Sequence, residues 1–180
     1  MWVKLEGVRM ADISVNLYRS CKSSDWSGKT ADKKDEVFTV ALGEGSLYPD
    51  YEGFTRKDGS VRAPDVTTFT DDRGTVWVRG VEDRDDRSRP FISWKEGVSV
   101  STAPGGFGYK GWFYFLLPEG APIPDSLDVR HTPTRNDNGH YSICCRNRMR
   151  RDAYEGALDN LARAALARAV ELGKRSLYHS

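Results

Sequence analysis

A helical period appears once in this 180-residue chain, near its end. Over 150–173, Tyr154, Leu158, Leu161, Ala165, Ala169 and Leu172 recur at three- and four-residue steps and form one apolar stripe. Arg151, Arg163, Arg168 and Lys174 fall outside it. A lone amphipathic helix needs an apolar surface to lie on, and the residues before it must supply one. Those residues read as strands. ISVNLYRS (13–20) alternates Ile13, Val15 and Leu17 against Ser14, Asn16 and Tyr18. GTVWV (74–78), GVSVST (97–102), WFYFLL (112–117) and LDVRH (127–131) follow, with HYSICCR (140–146) as the last strand. The segment 43–74 is dense in Gly, Pro, Asp and Ser, which predicts a long ordered loop. Residues 82–90 read as a charged surface loop, RPFISWKE as including a helical turn, and PGGFGYKG (104–111) as a turn. ADKKDEVFTVAL (31–42) fits a short helix or a strand equally. The three prolines of 118–127 exclude regular structure there. The pattern predicts a single α+β domain over 1–180, with a curved, mostly antiparallel sheet and a long C-terminal helix.

Composition narrows the function classes. The net charge of +1 argues against a general nucleic-acid coat. No run approaches the ~20 apolar residues of a membrane span. The N-terminus MWVKLEGVRMAD lacks the basic head, apolar stretch and cleavage site of a signal peptide. The chain is therefore expected in the cytoplasm, or to leave it by a route that needs no cleaved signal. Cys21, Cys144 and Cys145 have no zinc-type spacing. The adjacent pair points to opposite faces of a strand, and all three read as reduced structural thiols. No metal-ligand spacing joins His131, His140 and His179, and His179 reads as frayed.

The candidate chemistry is spread over strands. Arg19 closes an otherwise alternating strand, which suits either a structural ion pair or a bidentate anion clamp. Arg62 precedes Ala63-Pro64, so it sits on a conformationally fixed loop. In KEGVSVSTAP (95–104) Ser99 and Ser101 share one face, away from Val98 and Val100. His140 opens a strand beside Tyr141, and its ring suits acid–base or hydrogen-bonding work. Four arginines in 146–151 stand at a helix N-terminus, where the macrodipole disfavours cations. A solvated face, a partner or a phosphate would each explain them.

Several of these stretches, in this order, resemble the Tse-two-like type VI secretion effector toxins, cytotoxins with an ADP-ribosyltransferase-like fold. ISVNLYRS resembles their first strand, VRAPD (61–65) a RAPD loop, and KEGVSVSTAP a glycine followed by a Thr-Ser strand. GWFYFLLPEGAPIPDSLDV, GHYSI and the GALDNLARAALARA helix resemble later family segments. The resemblance implies two packed, mostly antiparallel β-sheets around an NAD-sized cleft. It implies catalytic roles for Arg19, Ser99 and His140, and cofactor contacts from Arg19, Arg62, Ser99, Ser101 and Tyr141, with no metal. It implies an antibacterial toxin that transfers ADP-ribose to an unknown macromolecular target or hydrolyses NAD. Delivery from the producer to the target-cell cytoplasm through a secretion apparatus, and a cognate immunity protein covering the cleft, belong to the same expectation. The initial methionine reads as that of a complete small effector. Val98 stands where a relative has Thr, and GHYSICC lacks the acidic residue usual on the late strand. Two alternatives stay open. One is a metal-independent RNase toxin using His131, His140, Arg146 and Arg148, and the other is an NAD-cleft binding module without turnover.

Overall fold

The computed structural model describes residues 11–21, 45–55, 57–104 and 113–179. The readings of 31–42 and of nearly all of 104–111 lie outside them, as does the side chain of Cys21. Eleven strands and one helix are described, and the class is α+β. The strands are β1 (Leu17–Cys21), β2 (Phe54–Thr55), β3 (Val61–Arg62), β4 (Thr68–Thr70), β5 (Val76–Val78), β6 (Val98–Ser101), β7 (Phe113–Leu117), β8 (Leu127–His131), β9 (His140–Cys145), β10 (Met149–Arg150) and β11 (Leu177–His179). The helix α1 spans Arg151–Glu171. A six-stranded antiparallel sheet runs β11-β7-β1-β6-β9-β8, a three-stranded one runs β10-β5-β4, and β2 pairs with β3.

The helix lies where its stripe requires. Tyr154, Leu158, Leu161, Ala162, Ala165 and Ala169 pack with Leu17, Val98, Val100, Phe115, Leu117, Ile143 and Cys145 in one buried cluster. The Tyr154 hydroxyl, fully buried, donates to the Ile143 carbonyl at 3.0 Å. Leu172, expected in the stripe, is 40% exposed. It forms the C-cap, and Gly173 follows at φ +61°. Lys174 N–H bonds to Ala169 O and Gly173 N–H to Val170 O, a Schellman closure that turns the chain off the helix axis. The three-stranded sheet is tied to the end of β9 by Val81 N–H to Cys145 O and Glu82 N–H to Arg146 O.

Other departures have local causes. The first strand begins at Leu17 rather than Ile13. Residues 11–13 exchange backbone hydrogen bonds with 120–123 instead, through Ile13 N–H to Ala121 O and Gly120 N–H to Ile13 O. The expected loop 43–74 contains β2, β3 and β4. RPFISWKE contains a single hydrogen-bonded turn, closed by the Glu96 N–H to the Ser93 carbonyl at 3.0 Å, and no helix continues from it; the Glu96 carboxylate also accepts N–H groups from Ser93 and Thr67. HYSICCR is not the last strand, since β10 and β11 follow. His179, expected to fray, ends β11 opposite Phe113, on the β7 edge that would otherwise stand open. Gly97 enters β6 at φ +139°, and a Cβ there would stand 2.6 Å from the Ile143 carbonyl oxygen. The close β6–β9 approach at this point therefore requires glycine.

Among the described residues, no helix is long and apolar enough to cross a membrane. Nor do His, Cys, Asp and Glu side chains gather there in a metal-binding group.

Candidate functional site

Strand register sorts the expected residues onto two faces of the six-stranded sheet. Ser99 pairs with Ser142, and Ser101 with His140. Arg130 stands across from Ser142 on the other side of β9, and Tyr18 across from Ser101 on β1. Directly paired residues share a face. Ser99, Ser101, His140, Ser142 and Arg130 therefore lie together, on the face turned away from α1. Arg19 pairs with Phe115, and Tyr141 with Val100 and His131. These belong to the helix-side face. The structure thus brings Ser99, Ser101 and His140 together and sets Arg19, Arg62 and Tyr141 apart from them. Val98 and Val100 are wholly buried on the helix side, as the alternation required.

The away face carries a directional hydrogen-bond chain. Ser142 Oγ donates to the Lys95 carbonyl at 2.9 Å, which uses its only proton. Thr132 Oγ1, 2.8 Å from Ser142 Oγ, must then donate to it. Thr132 Oγ1 is also 2.8 Å from His140 Nδ1 and can only accept there. The Thr132 carbonyl, likewise an acceptor, lies 2.9 Å from the same nitrogen. Nδ1 therefore carries the proton, and the neutral ring has its basic lone pair on Nε2. Burial lowers the His140 pKa and favours that neutral form, outweighing the opposing contributions of the Thr132 carbonyl and Asp137. Thr132 and Ser142 are fully buried, so the chain is sheltered from water. Arg130 supplies a cation to this face. Its Nε and Nη2 are buried with no hydrogen-bond acceptor among the described residues, and Asp128 lies 3.8 Å from Nε.

Arg19 builds a brace on the helix side. Its Nη1 donates to the Ser99 carbonyl at 3.0 Å, and its Nη2 donates to the Tyr48 carbonyl at 3.1 Å and reaches Asp65 Oδ2 at 3.5 Å. Arg62 Nη2 donates to Asp65 Oδ1 at 2.8 Å, and the Asp50 N–H donates to Asp65 Oδ2 at 2.9 Å. One carboxylate thus joins β1, β3 and the 48–50 loop. Tyr141 is half-buried, with its ring tilted against His131 at 4.8 Å. His131 and His140, the acid–base pair of the RNase alternative, sit on opposite faces.

The arginines of 146–151 are largely engaged locally. Arg146 donates to the Leu127 carbonyl, Arg150 forms a two-pronged pair with Asp152, and Arg151 pairs with Glu155. Acidic side chains in the first turns of α1 offset the cations there. Cys144 and Cys145 are free, buried and on opposite faces, and burial pushes their thiols up to about 11 and about 12. Thiols so suppressed at neutral pH are packing groups.

Sequence reasoning missed Thr132, Ser142 and Asp65. Ser142 was within reach, because it is two residues from His140 on one strand and shares its face. Asp65 belongs to the quoted VRAPD, but nothing local ties it to Arg19.

A family model described as Tse2 ADP-ribosyltransferase toxin matches residues 15–170. No curated protein matches the chain.

Proposed function

The chain belongs to the Tse2 ADP-ribosyltransferase toxin family, and from that premise we propose that it binds NAD on the away face of the six-stranded sheet and transfers ADP-ribose to a target inside a bacterial cell. The observation that carries this reading is the hydroxyl chain that leaves His140 neutral with its lone pair on Nε2. NAD supplies the ribosyl–nicotinamide bond that breaks. When nicotinamide leaves with the bonding electron pair, an acceptor oxygen or nitrogen forms the new bond to the ribose carbon. Its proton passes to His140 Nε2. Arg130 offers a guanidinium to the NAD diphosphate, and the half-buried Ser99 offers a hydroxyl to the cofactor. Arg19 enters through the strand, because its guanidinium fixes the backbone of Ser99. Arg62, the more exposed member of the brace, lies at its rim. Delivery by a secretion apparatus and a cognate immunity protein in the producer complete the reading.

Inducible expression in bacteria tests it. Wild type should arrest growth, while His140→Ala and Ser99→Ala, shown folded by circular dichroism, should not. Full toxicity in both folded variants would move the site off this face.

A further inference from the structure

The turn between β8 and β9 holds a carboxylate that its own structure leaves half used. Asp137 Oδ1 accepts the Gly139 N–H at 2.8 Å. The Asp137 backbone is engaged as well: its N–H bonds to Thr134 Oγ1, and its carbonyl receives the N–H groups of Thr134 and His140. Oδ2, by contrast, is buried and has no hydrogen-bond partner among the described residues. Folded proteins rarely leave a buried acceptor unmatched, and one that persists calls for a role.

The position of the turn suggests that role. Thr102 N–H bonds to the Gly139 carbonyl at 3.0 Å, and a Cβ on Gly139 would collide with Thr102 Oγ1. The turn is therefore pressed onto the end of β6, next to the Ser101–His140 row. Lys95, Asp65 and Asp137 are the charged groups that act on the His140 ring. β9 itself, His140–Cys145, carries no acidic residue. Yet the departure of nicotinamide leaves positive charge on the ribose, and a fixed negative charge nearby stabilises it.

We propose that Asp137 supplies that charge from the turn, as the carboxylate of the site. The proposal rests on the NAD reading above. In the simplest reaction, water is the acceptor: the ribosyl–nicotinamide bond breaks with its electron pair leaving on nicotinamide, the water oxygen bonds to the ribose carbon, and one water proton goes to His140.

The test is hydrolysis of the fluorescent analogue etheno-NAD by the purified full chain, with binding of NAD measured in parallel by calorimetry. Asp137→Asn keeps the Oδ1 acceptor for Gly139 and removes the charge, with an amide NH2 in place of Oδ2. Its kcat and kcat/KM should fall together by about 100-fold, with NAD affinity and melting temperature near wild type. Asp137→Glu, which restores the charge, should recover part of the rate. Wild-type turnover by Asp137→Asn would overturn the proposal and leave the NAD reading standing. Equal losses in both variants, tracking a lowered melting temperature, would show a structural turn residue and also overturn it. A folded wild type that neither binds nor hydrolyses NAD would overturn both.

Discussion

Replacing Asp65 with alanine should be among the most damaging single changes on the helix-side face. Asp65 is only 5% exposed, and its two oxygens serve Arg19, Arg62 and the Asp50 N–H. Arg19 is 12% and Arg62 30% exposed, so neither charge is well hydrated. Removing the carboxylate leaves two like charges facing each other and orphans one backbone donor. Breaking a buried pair in this way costs about 3–5 kcal/mol. Arg62→Ala leaves Asp65 paired with Arg19 and removes a contact nearer the rim, at about 1 kcal/mol or less. Urea unfolding of the three proteins, fitted with a common slope, measures both losses. An Asp65→Ala stability within about 1 kcal/mol of wild type would refute the claim that Arg19 is a structural brace.

Because burial lowers the His140 pKa, the unfolded chain binds a proton that the native chain refuses. Stability from this site is complete above the unfolded value near 6.5 and declines on acidification below it, by up to about 1.4 kcal/mol per pH unit. The unfolding free energy of wild type should fall more steeply than that of His140→Gln between pH 7 and 5, and parallel curves would contradict the assignment. Iodoacetamide at pH 8 should leave Cys144 and Cys145 unlabelled until denaturant is added, as peptide mapping would show. Gly97→Ala should be strongly destabilising, because its new methyl group meets backbone rather than a movable side chain. A melting temperature unchanged from wild type would refute that.

What could be read from the sequence was what has a period. The stripe of α1 from Tyr154 to Ala169 and the Val98/Val100 alternation are local patterns, and both hold in the structure. The shared face of His140 and Ser142 follows from the same rule of two. The rest depends on register and on distant partners. Whether Arg19 and Ser99 share a face is decided by the pairing of Tyr18 with Ser101, which no property of either strand alone dictates. Asp65 reaches Arg19 across 46 positions, and Thr132 meets His140 only because β8 and β9 form a hairpin. Two-residue strands such as β10 are too short to show any alternation. An orphaned carboxylate oxygen on Asp137 is a property of packing, invisible in a string of letters.

The most direct test of the central claim is transfer of label from adenine-labelled NAD to macromolecules of a bacterial lysate by the purified chain. Wild type should label an acceptor and release nicotinamide in equal amount, and folded His140→Gln should do neither at a comparable rate. Labelling by His140→Gln at the wild-type rate would remove the buried histidine from the chemistry, and with it the away face of the sheet as the site.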